Sequence, residues 1–591
     1  MPPENFKIIG VAKDVITIEI IDPSQFEWQF NIGSYIKIPY QISSDNFIIW
    51  VIRNYKIKNL ESSDPETESI GNHFIIEVEL IGSYIKNSTG VYIFERGAHG
   101  IPLPPNNGIS ILSSTDYVNI YSCKISESEK FCFSKLAQDS TIPVPVNGNK
   151  FFNKHFAIVW STGSWKSHTV ASVLQQAISE RNSPWYDGLN NSHIVLFDIH
   201  GEYKKAFPEA NCIDSKNIKI PYWLFDSDEL SDLFIESNED NSHNQTSQFR
   251  FAVTENKKKW NGSAIESEHI PQEKIYFDSP IKFQIDEVIR YIKNMNNEVI
   301  WKLVWEGFPK KDDWSLISDR ISCYFTENVS FCVASTAKDT KASNGPFHGD
   351  FERFILRLET IRNNPRLNFL FDDVDTLELV GVLKQFLWYG ETKSNITIID
   401  LSGIPFEVLS ITVSLISRLL FEYGYFYKKL LNGDVSCETP LLLVYEEAHK
   451  YAPKSDLVKY RASKNAIERI AKEWRKYGIT LAIISQRPSE ISETIFSQCS
   501  NFIAMRLTNP DDQNYVRRLL PDTLGDLTSN LSSLQAGEAL IIGESIILPS
   551  IVKINMPTNE PESTDIRYLE IWKEQWKDLV NFNGITEEWK K

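Results

Sequence analysis

Between residues 7 and about 125, apolar positions come in short alternating bursts: Val15-Ile-Thr-Ile-Glu-Ile-Ile, Tyr35-Ile-Lys-Ile, Phe47-Ile-Ile-Trp-Val-Ile and Phe74-Ile-Ile-Glu-Val-Glu-Leu-Ile. Gly33, Gly71, Gly82, Gly97 and Gly100 punctuate them, and Pro102, Pro104 and Pro105 close the stretch. Several short strands without a helical period predict a small β-barrel or sandwich, a packing and assembly module rather than a catalytic one. From about residue 150 strands alternate with helices, which predicts a parallel α/β sheet. The apolar run 156–159 is followed by Val170, Val173, Leu174, Ala177 and Ile178, the stripe of a helix packed on a sheet. A second strand begins at His193. The rhythm then breaks: Asp228-Glu-Leu-Ser-Asp-Leu-Phe-Ile and Asp286-Glu-Val-Ile-Arg-Tyr-Ile alternate with polar pieces, which predicts a mostly helical insertion over 212–385.

The α/β rhythm resumes with Ile396-Thr-Ile-Ile-Asp-Leu, a helix through Phe421 and the strand Leu441-Leu-Leu-Val-Tyr. A charged helix from Ala466, the strand from Thr480, the strand from Phe502 and the pair Ala539-Leu-Ile-Ile and Ile546-Ile-Leu complete the sheet. Past Pro557 and Pro561 the chain leaves this core. Ile566, Leu569, Trp572, Trp576 and Leu579 share one stripe, which predicts a last helix over 564–580 that braces a neighbour or its own domain. The segments are therefore 1–130 (β-barrel), 131–211 and 386–555 (two parts of an α/β core), 212–385 (insertion) and 556–591 (linker and brace).

A chain of 591 residues exceeds one core, so two or three domains are expected. The net charge of −17 argues against a general nucleic-acid coat, although a basic lumen can sit inside an acidic shell. Lys257-Lys-Lys259 reads as a solvated loop more than as a nucleic-acid contact. Seven scattered cysteines without a C-x-x-C spacing suit a reducing cytosol, with neither disulfide framework nor zinc site. The start, Met-Pro-Pro-Glu-Asn-Phe-Lys, lacks the layout of a signal peptide. The most apolar window, Ile411 to Phe421, is short and carries Arg418, so no membrane span is expected and a cytoplasmic location is.

The chemistry concentrates where strand 156–159 breaks into a turn and reopens as a helix. Backbone N–H groups of such a turn wrap phosphates, a Lys reaches their outer oxygens, and a Ser or Thr hydroxyl ligates Mg²⁺. Thr162-Gly163-Ser164 supplies the turn, followed by Trp165, Lys166, Ser167 and His168. Both signature glycines of the G-x-x-x-x-G-K-[S/T] pattern are tryptophans, Trp160 and Trp165. An aromatic forced to positive φ at Trp165 would cost on the order of 1–3 kcal/mol. Its indole either turns outward, leaving ATP binding intact, or covers the phosphate site and slows hydrolysis.

Strand 441–445 runs into Glu446 and Glu447, the acidic complement of such a loop. Glu446 is expected to hold the Mg²⁺ shell and Glu447 to polarise the attacking water. Asp198, at the carboxyl end of the second strand, either orders Mg²⁺ and water from a second shell or caps the following helix. Gln486 ends a neighbouring strand, where its amide could sense the γ-phosphate. Arg475 is either a finger reaching a neighbouring subunit's site or part of a solvated helix face. The cofactors expected are ATP and Mg²⁺.

Nearly end to end, the chain resembles the HerA branch of the HerA/FtsK ATPases. The resemblance rests on Pro143-Val-Pro-Val, Asn153-Lys-His-Phe-Ala-Ile-Val, Phe197-Asp-Ile-His-Gly-Glu-Tyr, Glu446-Glu-Ala-His-Lys-Tyr-Ala-Pro, and Trp474-Arg-Lys-Tyr-Gly through Ser485-Gln-Arg-Pro-Ser-Glu. It implies an α/β fold with a RecA-like P-loop core, an N-terminal HAS-barrel-like domain, a helical insertion and a C-terminal brace. It further implies a homo-hexamer with nucleotide between subunits, double-stranded DNA in the pore, and a separate effector as partner. Pro221-Tyr-Trp-Leu-Phe and Asn244-Gln resemble the branch found in anti-phage defence, where the effector is a sirtuin-like NADase or a nuclease. The expected function is thus an ATP-dependent DNA translocase that activates an effector. The alternatives are a pseudo-ATPase ring that scaffolds it, or a motor working with a NurA-type nuclease at DNA ends.

Overall fold

The computed structural model describes residues 6–12, 15–21, 32–40, 45–59, 72–88, 90–97, 108–161, 165–181, 188–235, 242–261, 270–301, 307–337, 341–372, 374, 376–387, 393–431, 438–456, 461–473, 476–519, 527–563, 567–576 and 581–590. At its centre lies a ten-stranded sheet. Seven strands are parallel, in the spatial order Asn211–Ile213, Ile396–Asp400, His193–Asp198, Leu441–Tyr445, Ile479–Ser485, Phe156–Val159, Asn501–Ala504. Three antiparallel strands, Glu538–Gly543, Ser550–Ile554 and Ser134–Leu136, extend it. The parallel strands are continuous apolar runs because helices cover both faces. The long helix Phe406–Leu430 packs on the Arg461–Glu473 helix over one of them.

Chain order and spatial order differ. The strands Phe156–Val159 and His193–Asp198 are consecutive in the central chain, yet Leu441–Tyr445 and Ile479–Ser485 lie between them. That reversal opens a crevice at the carboxyl edge, where α/β sheets bind ligands.

Three expectations need correction. The second strand of the terminal pair is Ser550–Ile554, not 546–548. Ile546 and Leu548 are instead buried anchors of the preceding loop. The C-terminal stripe does not form one helix over 564–580: Tyr568–Trp572 and Phe582–Lys590 are separate short helices, and Ile566 and Leu579 lie outside the described residues. Lys257 is not on a solvated loop but inside the helix Ser242–Asn261, fully buried, with Nζ donating to the Phe277 and Ser279 carbonyls. Burial pulls its pKa down to about 7.

The segment between the core halves carries helices Ser227–Phe234, Ser242–Asn261, Ile285–Asn297, Glu352–Arg362 and Leu379–Phe386, with a small three-stranded sheet. The strand Asn211–Ile213 that leads into it belongs to the central sheet.

The N-terminal strands make a seven-stranded antiparallel sheet whose Ile16, Ile18, Ile36, Ile38, Ile48, Trp50, Ile76 and Val78 form a core of their own. The 15-residue strand Asn72–Lys86 pairs with Val15–Ile20 along its first half and with Tyr92–Arg96 along its second. Among the described residues no ladder joins Phe6–Val11 to Ser110–Ile111, so the path of pairings is open there. A polar clasp ties this sheet to the core: the Arg96 guanidinium donates to the carbonyls of Gly543, Ile546 and Ile547, and the Tyr35 hydroxyl to that of Pro549.

Candidate nucleotide site at the carboxyl edge of the sheet

The helix Lys166–Ser179 begins one turn past the strand Phe156–Val159. Thr162, Gly163 and Ser164, which the sequence assigns to the phosphate turn, lie outside the described residues, as does Arg475. Before them the backbone is held firmly. Ser161 N–H donates to the Arg506 carbonyl at 2.7 Å and Met505 N–H to the Val159 carbonyl at 2.9 Å, tying the loop's first arm to the neighbouring strand end.

Trp165 is the N-cap of this helix, at φ 60° and ψ 35°. A left-handed backbone at a non-glycine residue costs roughly 1–2 kcal/mol and persists only where its surroundings fix it. Here the indole lies against Gly537, where an added Cβ would stand 3.5 Å from Trp165 Cε3. It also tilts over the His168 ring at 5.4 Å. The indole is turned outward, 41% exposed, and is not folded into the crevice. Trp160 takes the opposite course. It is buried, and its ring lies 5.4 Å from Lys166 Nζ, where the indole face supports the ammonium charge.

Lys166 is the hub of the crevice. Its Nζ stands 2.7 Å from Glu446 Oε1, 3.5 Å from Glu447 Oε1 and 3.8 Å from Glu202 Oε2. Burial works against the ammonium charge, but Glu446, then Glu447 and Glu202, outweigh it and raise the pKa. Glu446 is fully buried, and burial raises its pKa despite the lysine. Beside it, burial and then the Glu446 charge push Asp198 up to about 7.

The Asp198 oxygens also accept backbone N–H bonds from His200, Gly201 and Tyr203 at 3.2, 2.8 and 3.0 Å. Those bonds shape the turn after its strand. Gly201, at φ 71°, sends the chain back over the Lys166–Ser179 helix, so Glu202 accepts the Ser167 hydroxyl. Glu202 was missed in the sequence. Its only signal was the Asp-Ile-His-Gly-Glu-Tyr string, in which the acid follows a glycine rather than ending a strand.

Glu447 sits at φ 48°, just before the single turn Ala448–Lys450, and burial raises its pKa while Lys166 and the Gln486 backbone amide draw it down. Gln486 itself is half-buried at the end of the adjoining strand. His168 points away from the carboxylates, its Nδ1 3.4 Å from Ser563 Oγ. His449, also missed in the sequence, has Nδ1 3.4 Å from Glu447 Oε2 and 3.1 Å from Ser485 Oγ.

This is a cation and a hydroxyl at a helix N-terminus, facing three buried or half-buried carboxylates. The donor set fits Mg²⁺: Ser167 Oγ, Glu202 and Glu446 are hard oxygen ligands, and Glu447 Oε2 is buried without a hydrogen bond of its own. The fold around it is a mixed α/β core built on the mostly parallel ten-stranded sheet.

Residues 131–420 match the family model described as the central domain of helicase HerA. A probable helicase of Methanocaldococcus jannaschii is 25% identical over 562 residues, covering 93% of this chain and 90% of that protein. The DNA double-strand break repair helicase HerA of Saccharolobus solfataricus is 27% identical over 73% of this chain and 70% of its own. Among solved structures, the plasmid coupling protein TrwB bound to a non-hydrolysable ATP analogue matches with a TM-score of 0.44 at 9% identity, over 77% of this chain and 94% of that one.

Proposed function

The chain belongs to the HerA family of helicases, and from that premise we propose that it is an ATP-driven motor on double-stranded DNA, working as a ring of six copies. It is an ATPase of the helicase and translocase class. The observation that carries the mechanism is the convergence of Lys166, Ser167, Glu202, Glu446 and Glu447 within one crevice at the strand ends.

Lys166 binds the outer phosphate oxygens of ATP, for which it must leave Glu446 and Glu447. Ser167 with Glu446 or Glu202 would hold Mg²⁺, which would supply positive charge to the phosphates. Glu447, released from Lys166, orients the attacking water. Gln486, one residue beyond Ser485, reads the state of the γ-phosphate and passes it to the strand Ile479–Ser485. Asp198 shapes the Glu202 turn through its three backbone bonds and lies behind the metal shell. Arg475 completes the site of the adjacent subunit.

The ring is supported by what one chain leaves uncovered. Leu569, Trp572, Trp576, Phe582, Ile585 and Trp589 are 57–90% exposed, an apolar surface suited to bracing a neighbouring copy. Among the described residues no helix is long and apolar enough to cross a membrane. We place the ring in the cytoplasm, with DNA in its lumen and a sirtuin-like NADase or nuclease as the effector it activates in anti-phage defence. Pro221-Tyr-Trp-Leu-Phe and Asn244-Gln support that branch.

The test is ATP turnover by the full chain with and without double-stranded DNA. Stimulation by DNA, and a loss of roughly 100-fold or more in Glu447→Gln with ATP binding retained, is the expected result. Tight binding with no turnover supports the scaffold reading instead.

A further inference from the structure

Glu447 is poised by contacts that cannot all survive ATP binding. Its Oε1 rests 3.5 Å from Lys166 Nζ, and that lysine is needed at the phosphates. Its Oε2 is buried without a hydrogen bond of its own. A carboxylate that must hold one water in line cannot be left to rotate, because misplacement of a reacting group by about 1 Å can cost 100-fold. We propose that His449 is the positioning residue that holds Glu447 once Lys166 has turned to the nucleotide. The inference rests on the ATPase reading above.

The geometry follows from the local chain path. Glu447 in the left-handed region and the single turn Ala448–Lys450 fold the chain back, so the ring of His449 returns toward the carboxylate two residues earlier. Its Nδ1 lies between two partners, Ser485 Oγ at 3.1 Å and Glu447 Oε2 at 3.4 Å. Ser485 Oγ already accepts the Arg487 N–H at 3.0 Å, so the serine is fixed by its own strand end. A small rotation of the imidazole exchanges the serine for the carboxylate. The ring is mostly buried and kept neutral: burial, then Lys450 and Arg487, lowers its pKa to about 4. It therefore offers one N–H and carries no charge that would compete with Lys166.

The arrangement also couples Glu447 to the sensing strand. His449 binds Ser485, and the next residue, Gln486, turns its backbone amide to Glu447. Movement at the Ile479–Ser485 strand end would thus shift the water-orienting carboxylate through two contacts at once.

The experiment compares wild type with His449→Phe, which keeps bulk and removes the N–H, and His449→Asn, whose amide N–H stands near the position of Nδ1. Three quantities are read: kcat, affinity for a non-hydrolysable ATP analogue, and trapping of ADP with aluminium fluoride, which mimics the transition state. Loss of such an orienting partner is worth about 10- to 100-fold. His449→Phe is expected to lose that much in kcat and in trapping with analogue affinity unchanged within about twofold, and His449→Asn to recover most of it. The inference is overturned if Phe retains full kcat and trapping. It is equally overturned if Phe and Asn lose analogue affinity and kcat together, as a merely structural residue would. A wild type that binds neither nucleotide nor the fluoride complex shows, without any variant, that the ATPase reading itself has failed, and the inference falls with it.

Discussion

Lys166 Nζ and Glu446 Oε1 stand 2.7 Å apart, with the glutamate fully buried and the lysine nearly so. In the mechanism proposed here, the cation that takes the phosphates is thus engaged beforehand by the acid proposed to hold the Mg²⁺. Lys166→Ala leaves Glu446 without its counter-ion beside Asp198. Breaking a buried pair from one side costs about 3–5 kcal/mol, and proton uptake by Glu446 trims that. Lys166→Ala is expected to lower the melting temperature, and Lys166→Ala/Glu446→Gln to restore part of the loss. Neither variant should gain stability from ATP, whereas wild type gains about 2.7 kcal/mol at 100 times Kd. Differential scanning calorimetry with and without nucleotide reads both effects. An ATP-dependent shift surviving in Lys166→Ala would remove Lys166 from the phosphate site.

Trp165→Gly removes the left-handed penalty and the indole's packing on Gly537 together, and these offset to within about 1 kcal/mol. With the indole already turned outward, wild type is expected to turn over ATP and the glycine variant to lie within a few-fold of it. A silent wild type revived by glycine would instead make the tryptophan a lock on the ring.

His155 sets an acid limit on the core. The ring is fully buried, and its Nδ1 accepts the Leu481 N–H at 2.9 Å. Burial lowers its pKa to about 3 from an ordinary value near 6.5, so the unfolded chain binds the extra proton first. Stability is fully present above pH 6.5 and declines as pH falls toward 3, by about 2 kcal/mol at pH 5. His155→Gln, which keeps an acceptor and cannot titrate, is expected to flatten the melting temperature between pH 7 and 5. An unchanged slope in that variant would assign the acid sensitivity elsewhere.

The sequence by itself determined the elements that are buried on both faces. Phe156–Val159, His193–Asp198, Ile396–Asp400 and Leu441–Tyr445 are nearly continuous apolar runs because helices cover them from either side, and two of them end in an aspartate, Asp198 and Asp400, while the last runs into Glu446. A Lys-Ser pair opening a helix and an acid pair ending a strand carry their chemistry in adjacent residues, so the reading reached both. The C-terminal stripe was legible as apolar but not as one helix, because in a single chain it has no surface on which to bury itself, and a short helix draws its stability from such packing.

Tertiary structure alone decided what meets across the crevice. The placement of two later strands between Phe156–Val159 and His193–Asp198 brings Glu446 and Glu447 to Lys166 across about 280 residues of chain, a pairing order that local pattern does not encode. Glu202 and His449 reach the site only because Gly201 and Glu447 take left-handed backbones that reverse the chain. Likewise the contacts of the Trp165 indole with Gly537 and the His168 ring are made only in the folded chain. Hydrophobic periodicity reports which face of an element is buried. Which elements become neighbours, and which polar side chains are then left facing one another, is set by the sheet order and by the few turns that the core holds in place.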